Sequence, residues 1–375
     1  TFIIDPVVDL ELTWSTFFGG DQLDEATAVA VDTIYNFVYV VGNTDSQGGS
    51  FPLLNNSTAY FVSNATYTSQ TDCFIACFDL AGVQQWTTNY FSTELDKAAD
   101  VTTDYQGNVY VVGLTATTSS STVTFKTQNA GGFYQSTPGG GGTGYTDGFI
   151  IKLSKAGVLI WASLYGGNDY DHCVHVTCDK GDNVIMVGNT ISTNLYTKSA
   201  GGYYNSSLNA SGVWDMFIAR FDNITKPDWI TYFGSNTYDW ATSVVCDDAS
   251  RIIVTGESDY SSTVTLPIYK ASSLTNAYYQ TSSNGNTNGV IAIFEANTSQ
   301  RWCTYFGGDN SFSLIRSVDY NSKYDRIVIA GYTSSNTFPL CSLALAQAYY
   351  QPTNYSAGSS SFLTGFIAEF NSDYS

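Results

Sequence analysis

The chain is poor in positive charge. Lysine and arginine number 14 against 33 acidic residues, a net charge of −19 over 375 residues. Nucleic acid is bound by clustered cations that displace condensed counterions, and neither the count nor a cluster exists, so that class is excluded. Anionic membrane surfaces are disfavoured for the same reason. No apolar run reaches the about 20 residues that a membrane-spanning helix needs. Only two histidines, His172 and His175, occur in the chain. They stand three apart on a strand, where side chains alternate in direction; that is poor zinc geometry. A Ser-His-Asp triad would have to use one of them, and no Gly-x-Ser-x-Gly elbow is present. Charged residues of either sign make up only 13% of the chain. The surface must therefore be covered by Ser, Thr, Asn, Gly and Tyr, a composition that suits an extracellular protein. The chain starts at Thr1 without a methionine or a signal peptide and reads as processed or truncated.

Seven cysteines, an odd number, leave at least one unpaired. Cys73 and Cys77 lie four apart on a strand, roughly 13 Å at about 3.3 Å per residue, too far for a disulfide. Most of the seven read as small buried hydrophobes, with one disulfide at most.

What the sequence does have is a repeat. Trp14, Trp86, Trp161, Trp229 and Trp302 lead five copies at spacings of 72, 75, 68 and 73 residues. Each copy carries four strand signals. The tryptophan strand usually ends in a Gly pair, as at Gly19-Gly20. A short strand ending in Asp follows, as in Ala26 to Asp32, then a Val-rich strand ending in Gly, as in Val38 to Gly42. A last apolar strand, such as Cys73 to Phe78, completes the set. A repeat of this period built of strands and turns means blades of a propeller or rungs of a solenoid. Strands apolar on both faces fit sheets sandwiched between sheets. The expected fold is all-β: a five-bladed β-propeller of four-stranded antiparallel blades, one body over residues 12–375. The chain opens with a tryptophan strand and finishes on a fourth strand. The last blade is therefore expected to combine residues 313–370 with 12–18, the N-terminal strand closing the ring. Thr1 to Glu11 belongs to no blade and is a candidate inter-subunit strand.

Each copy also has a long loop, of roughly 25–33 residues, before its last strand, with a recurring aromatic pair. Tyr60, Tyr134, Tyr204, Tyr279 and Tyr350 in these loops are candidate ligand-binding residues. Asp24, Asp96, Asp171 and Asp239 share one position just before the second strand, with Ser311 in that place in the fifth copy. A ring of carboxylates there could hold Ca²⁺, or each Asp could close its own turn. Asp32, Asp104, Asp179, Asp247 and Asp319 are expected to cap the hairpin turn that follows. Asp100, His175 and Arg316, on inner strands of different copies, could meet around the channel. Sequons stand at Asn55, Asn56, Asn64, Asn205, Asn209, Asn223, Asn297 and Asn354, all in loops or turns.

The order Trp-x-Thr-x-Phe-Gly-Gly, Ala-x-x-Val-x-x-Asp, Val-Tyr-Val-Val-Gly-x-Thr, Phe-Pro, Tyr-Tyr-Gln and Asp-x-Phe-Ile-Ala-x-Phe resembles the SBBP-type β-propeller repeat of secreted and cell-surface proteins. The resemblance spans about residues 12–370 and implies an extracellular propeller with no shared reaction. Ser92-Thr93 and Gly234-Ser235 depart from the Gly pair. The expected function is a non-enzymatic structural or interaction module, a glycosylated repeating subunit of a surface assembly or filament that self-associates through Thr1–Glu11. A glycan-binding lectin using the aromatic loops is the alternative. A glycosidase or lyase would need two suitably spaced carboxylates, and only the Asp24, Asp96, Asp171 and Asp239 set offers them. No cofactor is expected beyond Ca²⁺.

Overall fold

The computed structural model describes residues 12–46, 50–62, 70–140, 144–260, 266–283, 285–309, 312–341, 351–354 and 363–375. Thr1–Glu11, Asn64, Ser311 and Tyr350 lie outside the described residues. Five antiparallel sheets follow one another along the chain. The first joins β1 (Asp24–Asp32), β2 (Phe37–Thr44), β3 (Asp72–Asp79) and β4 (Gln84–Tyr90). The second joins β5 (Asp96–Thr103), β6 (Val109–Thr115), β7 (Asp147–Leu153) and β8 (Leu159–Tyr165). The third joins β9 (Asp171–Cys178), β10 (Val184–Thr190), β11 (Asp215–Phe221) and β12 (Pro227–Phe233). The fourth has β13 (Asp239–Cys246), β14 (Ile252–Asp259), β16 (Thr287–Phe294) and β17 (Gln300–Phe306), with the short β15 (Tyr269–Lys270) added beyond β17. The last has β18 (Ser313–Asn321), β19 (Arg326–Thr333) and β20 (Thr364–Phe370).

The sheets stack in series, with β1 beside β5, β5 beside β9, β9 beside β13 and β13 beside β18. This is the build of a β-propeller, in which blades pack face to face around their innermost strands. The middle strands are buried on both faces: β7, β10 and β11 are buried at every position. That explains their unbroken apolar runs. The cysteines behave as part of this packing. All seven are free; Cys73, Cys77, Cys173 and Cys303 are buried, and Cys341 is exposed.

The tryptophans join each sheet to the next. Trp161 lies against Phe221 with ring centres 5.3 Å apart, Trp229 against Phe294 at 5.0 Å and Trp302 against Phe370 at 5.6 Å. Their indole N–H groups donate to the carbonyls of Phe133, Tyr203 and Tyr278 at 2.7–2.8 Å. These are the first members of the loop aromatic pairs. The same residues donate their own N–H groups to the next sheet's turn, at Thr225, Thr298 and Tyr374. The long loops are thereby pinned. Each of those turns places its last residue in the left-handed region: Gly82, Gly157, Thr225, Thr298 and Tyr374. Glycine relieves the strain at the first two, and the other three accept it.

The ends of the series differ from its interior. Residues 12–23 form no strand, so the expected pairing of 12–18 with β20 is not made in this structure, and the last sheet has three strands among the described residues. No contact comparable to those between neighbouring sheets joins β18, β19 or β20 to the first sheet. Val29 is accordingly 62% exposed, whereas Val101, Val176 and Val244, at the same place on β5, β9 and β13, are 1–4% exposed. Trp14 and Phe18 pack on the first sheet, Trp14 at 6.1 Å from Phe78 and Phe18 at 5.4–5.6 Å from Phe51, Phe74 and Phe78.

Trp229→Ala removes a fully buried ring and a bond to the pinned loop. It is expected to cost roughly 3–5 kcal/mol in urea unfolding, a large-to-small core substitution.

Candidate functional site

Two regions hold chemistry-bearing side chains: the rung where the inner strands begin, and the line of the innermost strands. At the rung, Asp24, Asp96, Asp171 and Asp239 open β1, β5, β9 and β13. Each closes its own turn. One oxygen accepts the N–H of Gly20, Ser92, Gly167 or Ser235, four residues earlier. The other faces a hydroxyl: Thr44 donates to Asp24 at 2.5 Å, and Thr115, Thr190 and Ser258 stand beside Asp96, Asp171 and Asp239. In the fifth sheet the place is held by Ser313, whose hydroxyl accepts from Gly308 N–H at 3.4 Å. The sequence reading assigned it to Ser311; in the structure the place falls at Ser313, five residues after Gly308 against four in the other sheets. No group of three His, Cys, Asp or Glu residues suited to a metal ion occurs among the described residues.

What sequence inspection missed is a second carboxylate on the same rung. Asp72, Asp147 and Asp215 begin β3, β7 and β11 opposite Thr44, Thr115 and Thr190. Each meets the first aspartate of the next sheet, giving the pairs Asp72 with Asp96, Asp147 with Asp171 and Asp215 with Asp239. A methyl on Gly234 would lie 2.5 Å from Asp215 Oδ1 and 3.0 Å from Asp239 Oδ2, so both oxygens crowd one side of that glycine. Burial pushes Asp72 and Asp215 up to about 8, Asp96, Asp171 and Asp239 up to about 7, and Asp147 up to about 6. At the fourth junction the pair is Asn288 with Ser313, and the Asn288 amide donates to Gly308 O at 3.4 Å. An amide there does what a protonated carboxyl can do in the other three junctions.

Along the innermost strands a β-bulge follows the rung in every sheet, at Thr27, Ala99, Val174, Thr242 and Arg316. The bulge re-aims the residue after it. Those residues are Ala28, Asp100, His175, Ser243 and Ser317, one from each sheet. Asp100 Oδ2 lies 3.2 Å from His175 Nδ1, and Ser243 Oγ lies 3.3 Å from His175 Nε2. The expected meeting of Asp100 with His175 is made, and Ser243 joins it. Arg316 is elsewhere: it faces Glu257 at 3.7 Å and stacks over the Tyr332 ring. The Asp-His-Ser order resembles a hydrolase relay in letters, but Ser243 is buried and the Val244 N–H points at His175 Nδ1 from 3.4 Å. Asp100 also accepts the Val176 N–H at 2.9 Å. The cluster ties the second, third and fourth sheets together.

His172 points away from His175. Its Nε2 lies 2.9 Å from Thr146 Oγ1, and its ring centre is 5.0 Å from that of Trp214. Trp214 in turn lies 4.8 Å from Trp240. Tyr170 is 4.8 Å from Tyr145 and 6.3 Å from Trp214. All five rings are half-buried. The sequence did carry a signal for this strip: Trp214 and Trp240 are the two of seven tryptophans outside the repeated strand.

The loop tyrosines separate into two groups. Tyr60 is half-buried and packs against Tyr90 at 5.2 Å, because it is the first member of its aromatic pair, equivalent to Phe133 and Tyr203. Tyr134, Tyr204 and Tyr279 are second members and are exposed; Tyr134 and Tyr204 share hydroxyl bonds with Thr127 and Thr197. Of the sequons, Asn55, Asn223 and Asn297 are exposed in loops or turns, and Asn205 is half-buried in its loop. Asn56, Asn209 and Asn354 use the amide nitrogen inside the fold, donating to the carbonyls of Ala156, Gly234 and Ser335. Four of the five hairpin aspartates cap as expected: Asp104 Oδ1 accepts from Gln106 and Asn108, and Asp32, Asp179 and Asp247 do the same in their turns. Asp319 does not: β18 runs two residues further, so Asn321 takes the capping place and accepts from Lys323, while Asp319 accepts from the adjacent Tyr320.

No family model matches the chain. An uncharacterized WD repeat-containing protein of Acanthamoeba polyphaga mimivirus is 23% identical over 235 residues, 60% of this chain and 17% of that protein. The chain thus spans about a sixth of that relative's length. Among solved structures, a protein of unknown function from Dyadobacter fermentans aligns over 86% of this chain and 79% of its own, at 8% identity and a TM-score of 0.41. A calcium-binding protein, regucalcin, from Agrobacterium tumefaciens aligns over 84% of this chain and 85% of its own, at 8% identity and a TM-score of 0.29. The repeat of the viral relative and the stacked four-stranded sheets agree on a β-propeller repeat protein.

The buried carboxyls set a pH dependence. Their folded pKa values lie above the ordinary carboxylate range of about 4. The folded state therefore holds more protons than the unfolded chain between about pH 4 and pH 8, and stability falls as pH rises through that window. Urea midpoints are expected to drop steadily from pH 5 to pH 9. Asp215→Asn, which copies the Asn288 junction, should fold and flatten part of that slope; an unchanged slope would remove Asp215 from the account.

Proposed function

We propose that this chain is a structural and interaction module of the secreted or cell-surface SBBP type, acting by binding and not by catalysis. In this reading it is a five-bladed ring closed by residues 12–18 as the outer strand of the last blade. It serves as a glycosylated repeating subunit of a surface assembly. The observation that supports it best is the place of Trp14. That ring sits on Phe78 as Trp161, Trp229 and Trp302 sit on Phe221, Phe294 and Phe370. Residues 12–18 thus hold the position of an outer strand belonging to a sheet ahead of the first one. The last sheet fits that role. It has the turn that precedes such a strand, at Asn371–Tyr374, and an open edge along β20, where Ile367 is 81% exposed. An unpaired edge of this kind invites pairing. Closure within one chain gives a ring, and the Thr1–Glu11 segment is then left to join one subunit to the next by strand addition. The exposed Tyr134, Tyr204 and Tyr279 favour a lectin as the second reading, with sites repeated from loop to loop.

Electron microscopy of native material, with intact mass of the same sample, tests the proposal. Ordered fibres whose subunit mass exceeds the 40.7 kDa of the bare chain are expected, and deletion of residues 1–11 should abolish the fibres while leaving folded rings. Single particles of bare mass would rule out the filament role.

A further inference from the structure

The turns between the last two strands of the second, third and fourth sheets share one build. Gly157, Thr225 and Thr298 donate their N–H groups to the carbonyls of Ser154, Asp222 and Glu295 at 2.7–2.9 Å. Each turn is also held from the preceding sheet. Trp86 Nε1, Lys152 Nζ and Arg220 Nη1 donate to the carbonyls of Lys155, Asn223 and Ala296, the same place in each turn, at 2.7–3.1 Å. All three turns have a sequon on them or against them. Asn223 and Asn297 are exposed within their turns. Asn55 is exposed in the first long loop, and that loop docks on the second-sheet turn: Asn56 Nδ2 donates to Ala156 O at 3.3 Å and Tyr60 N–H to Gly157 O at 2.7 Å. The turns of the first and last sheets, 79–83 and 371–375, have no sequon. The first of these is covered by Trp14, whose ring would lie 2.8 Å from a methyl on Gly82, and the other follows the open strand β20.

Amide contacts separate these sequons from the rest. In N-linked transfer the asparagine Nδ2 displaces a lipid diphosphate from C1 of an oligosaccharide donor. The N–C1 bond forms, the C1–O bond breaks, and one amide proton leaves with the diphosphate. Of two N–H donors the amide keeps one. Asn209 donates to Asp215 Oδ2 at 3.2 Å and to Gly234 O at 2.9 Å, so it cannot carry a sugar with both bonds kept. Asn205 is tied to Asn209 through its own Nδ2, at 3.4 Å. Asn56 and Asn354 are half-buried with both ends of the amide engaged: their nitrogens donate to carbonyls, and their Oδ1 atoms accept from Ala59 N–H at 2.7 Å and the Thr364 hydroxyl at 2.6 Å. Among the described residues Asn55 and Asn297 use only Oδ1, accepting from Ser57 and Ser299 N–H at 2.7 and 3.0 Å, and Asn223 is engaged through its backbone carbonyl. Resting on the secreted reading above, we infer that N-linked glycans stand at Asn55, Asn223 and Asn297, on the held turns of three successive sheets, and that the sector between the last and first sheets is left bare. Bulky sugars cover the surface around them, so self-association is directed to the bare sector, where residues 12–18 lie.

Peptide mapping of native material, after enzymatic release of N-linked glycans in heavy-oxygen water, tests the assignment, because release turns each occupied asparagine into a labelled aspartate. Label is expected at Asn55, Asn223 and Asn297 and not at Asn209 or Asn354. Label at either of the last two, or its absence from any of the first three, overturns the assignment. A heavy chain with its sugars elsewhere would do so while leaving the glycosylated subunit standing; a chain of bare mass would overturn both. A sequon built into the bare sector by Ala81→Asn with Val83→Thr, at two exposed positions, should take a glycan in the same host and stop self-association. Asn223→Gln with Asn297→Gln should leave self-association unchanged. Assembly that survives a sugar at residue 81 overturns the bare sector as the joint.

Discussion

Every sheet in this chain must bury two apolar faces, and it can do so only against another sheet. The fully buried middle strands carry hydrophobic side chains above and below the sheet plane, so one repeat on its own would expose half of its core. The outer-strand tryptophan extends that dependence. Its ring lies on the following sheet and its N–H holds the loop whose backbone is tied to that sheet's turn. Burial of apolar area supplies most of the stabilising free energy of such junctions, and the indole bond adds direction to it. The first and last sheets each have one face without this partner, and the exposed Val29 and Ile367 mark the two places.

The same stacking creates the unusual electrostatics. Where two sheets meet, the first rung of one faces the third-strand rung of the other, and aspartates end up side by side in a dry seam. Two carboxylates cannot both be ionised cheaply there. The fold meets this with turn N–H groups and hydroxyls, and burial raises the pKa of all six aspartates, which favours a shared proton in each pair. The fourth junction dispenses with the proton by using Asn288. The bulge one step further along each inner strand has the opposite effect. It brings different residues from successive sheets into line, so that Asp100, His175 and Ser243 form a bonded row although they lie about 70 residues apart.

A repeated scaffold also shows which residues the scaffold does not need. Positions that vary from sheet to sheet within one chain are free of the packing constraint, and departures in size or chemistry at such positions call for a separate explanation. Trp214 and Trp240 are departures of this kind, as is the replacement of the acidic rung by Ser313 and Thr364 in the last sheet.

The letters alone specified the five-fold repetition and the strands in order, except for the strand expected at residues 12–18, which the structure does not form. The hairpins are local, set by an Asp, or in the last sheet an Asn, that caps each turn, and the apolar runs leave no other way to be buried. It also announced the aromatic pairs, the turn aspartates and the separation of the two histidines. It did not reveal that Tyr60 is an internal pin and not a surface group. As a candidate ligand-binding residue it was grouped with Tyr134, although the recurring aromatic pair aligns it with Phe133, as the structure does. Nor did the sequence reveal that the recurring Asp of the Asp-x-Phe-Ile motif faces the next sheet's rung aspartate in three of the four seams, or the pairing of Trp214 with Trp240. Those depend on which residues of two sheets face each other, and that is fixed by the register and bulges of strands far apart in the chain. Such long-range registration leaves no periodic trace in the letters, because it is decided by packing between repeats and not by the pattern within one.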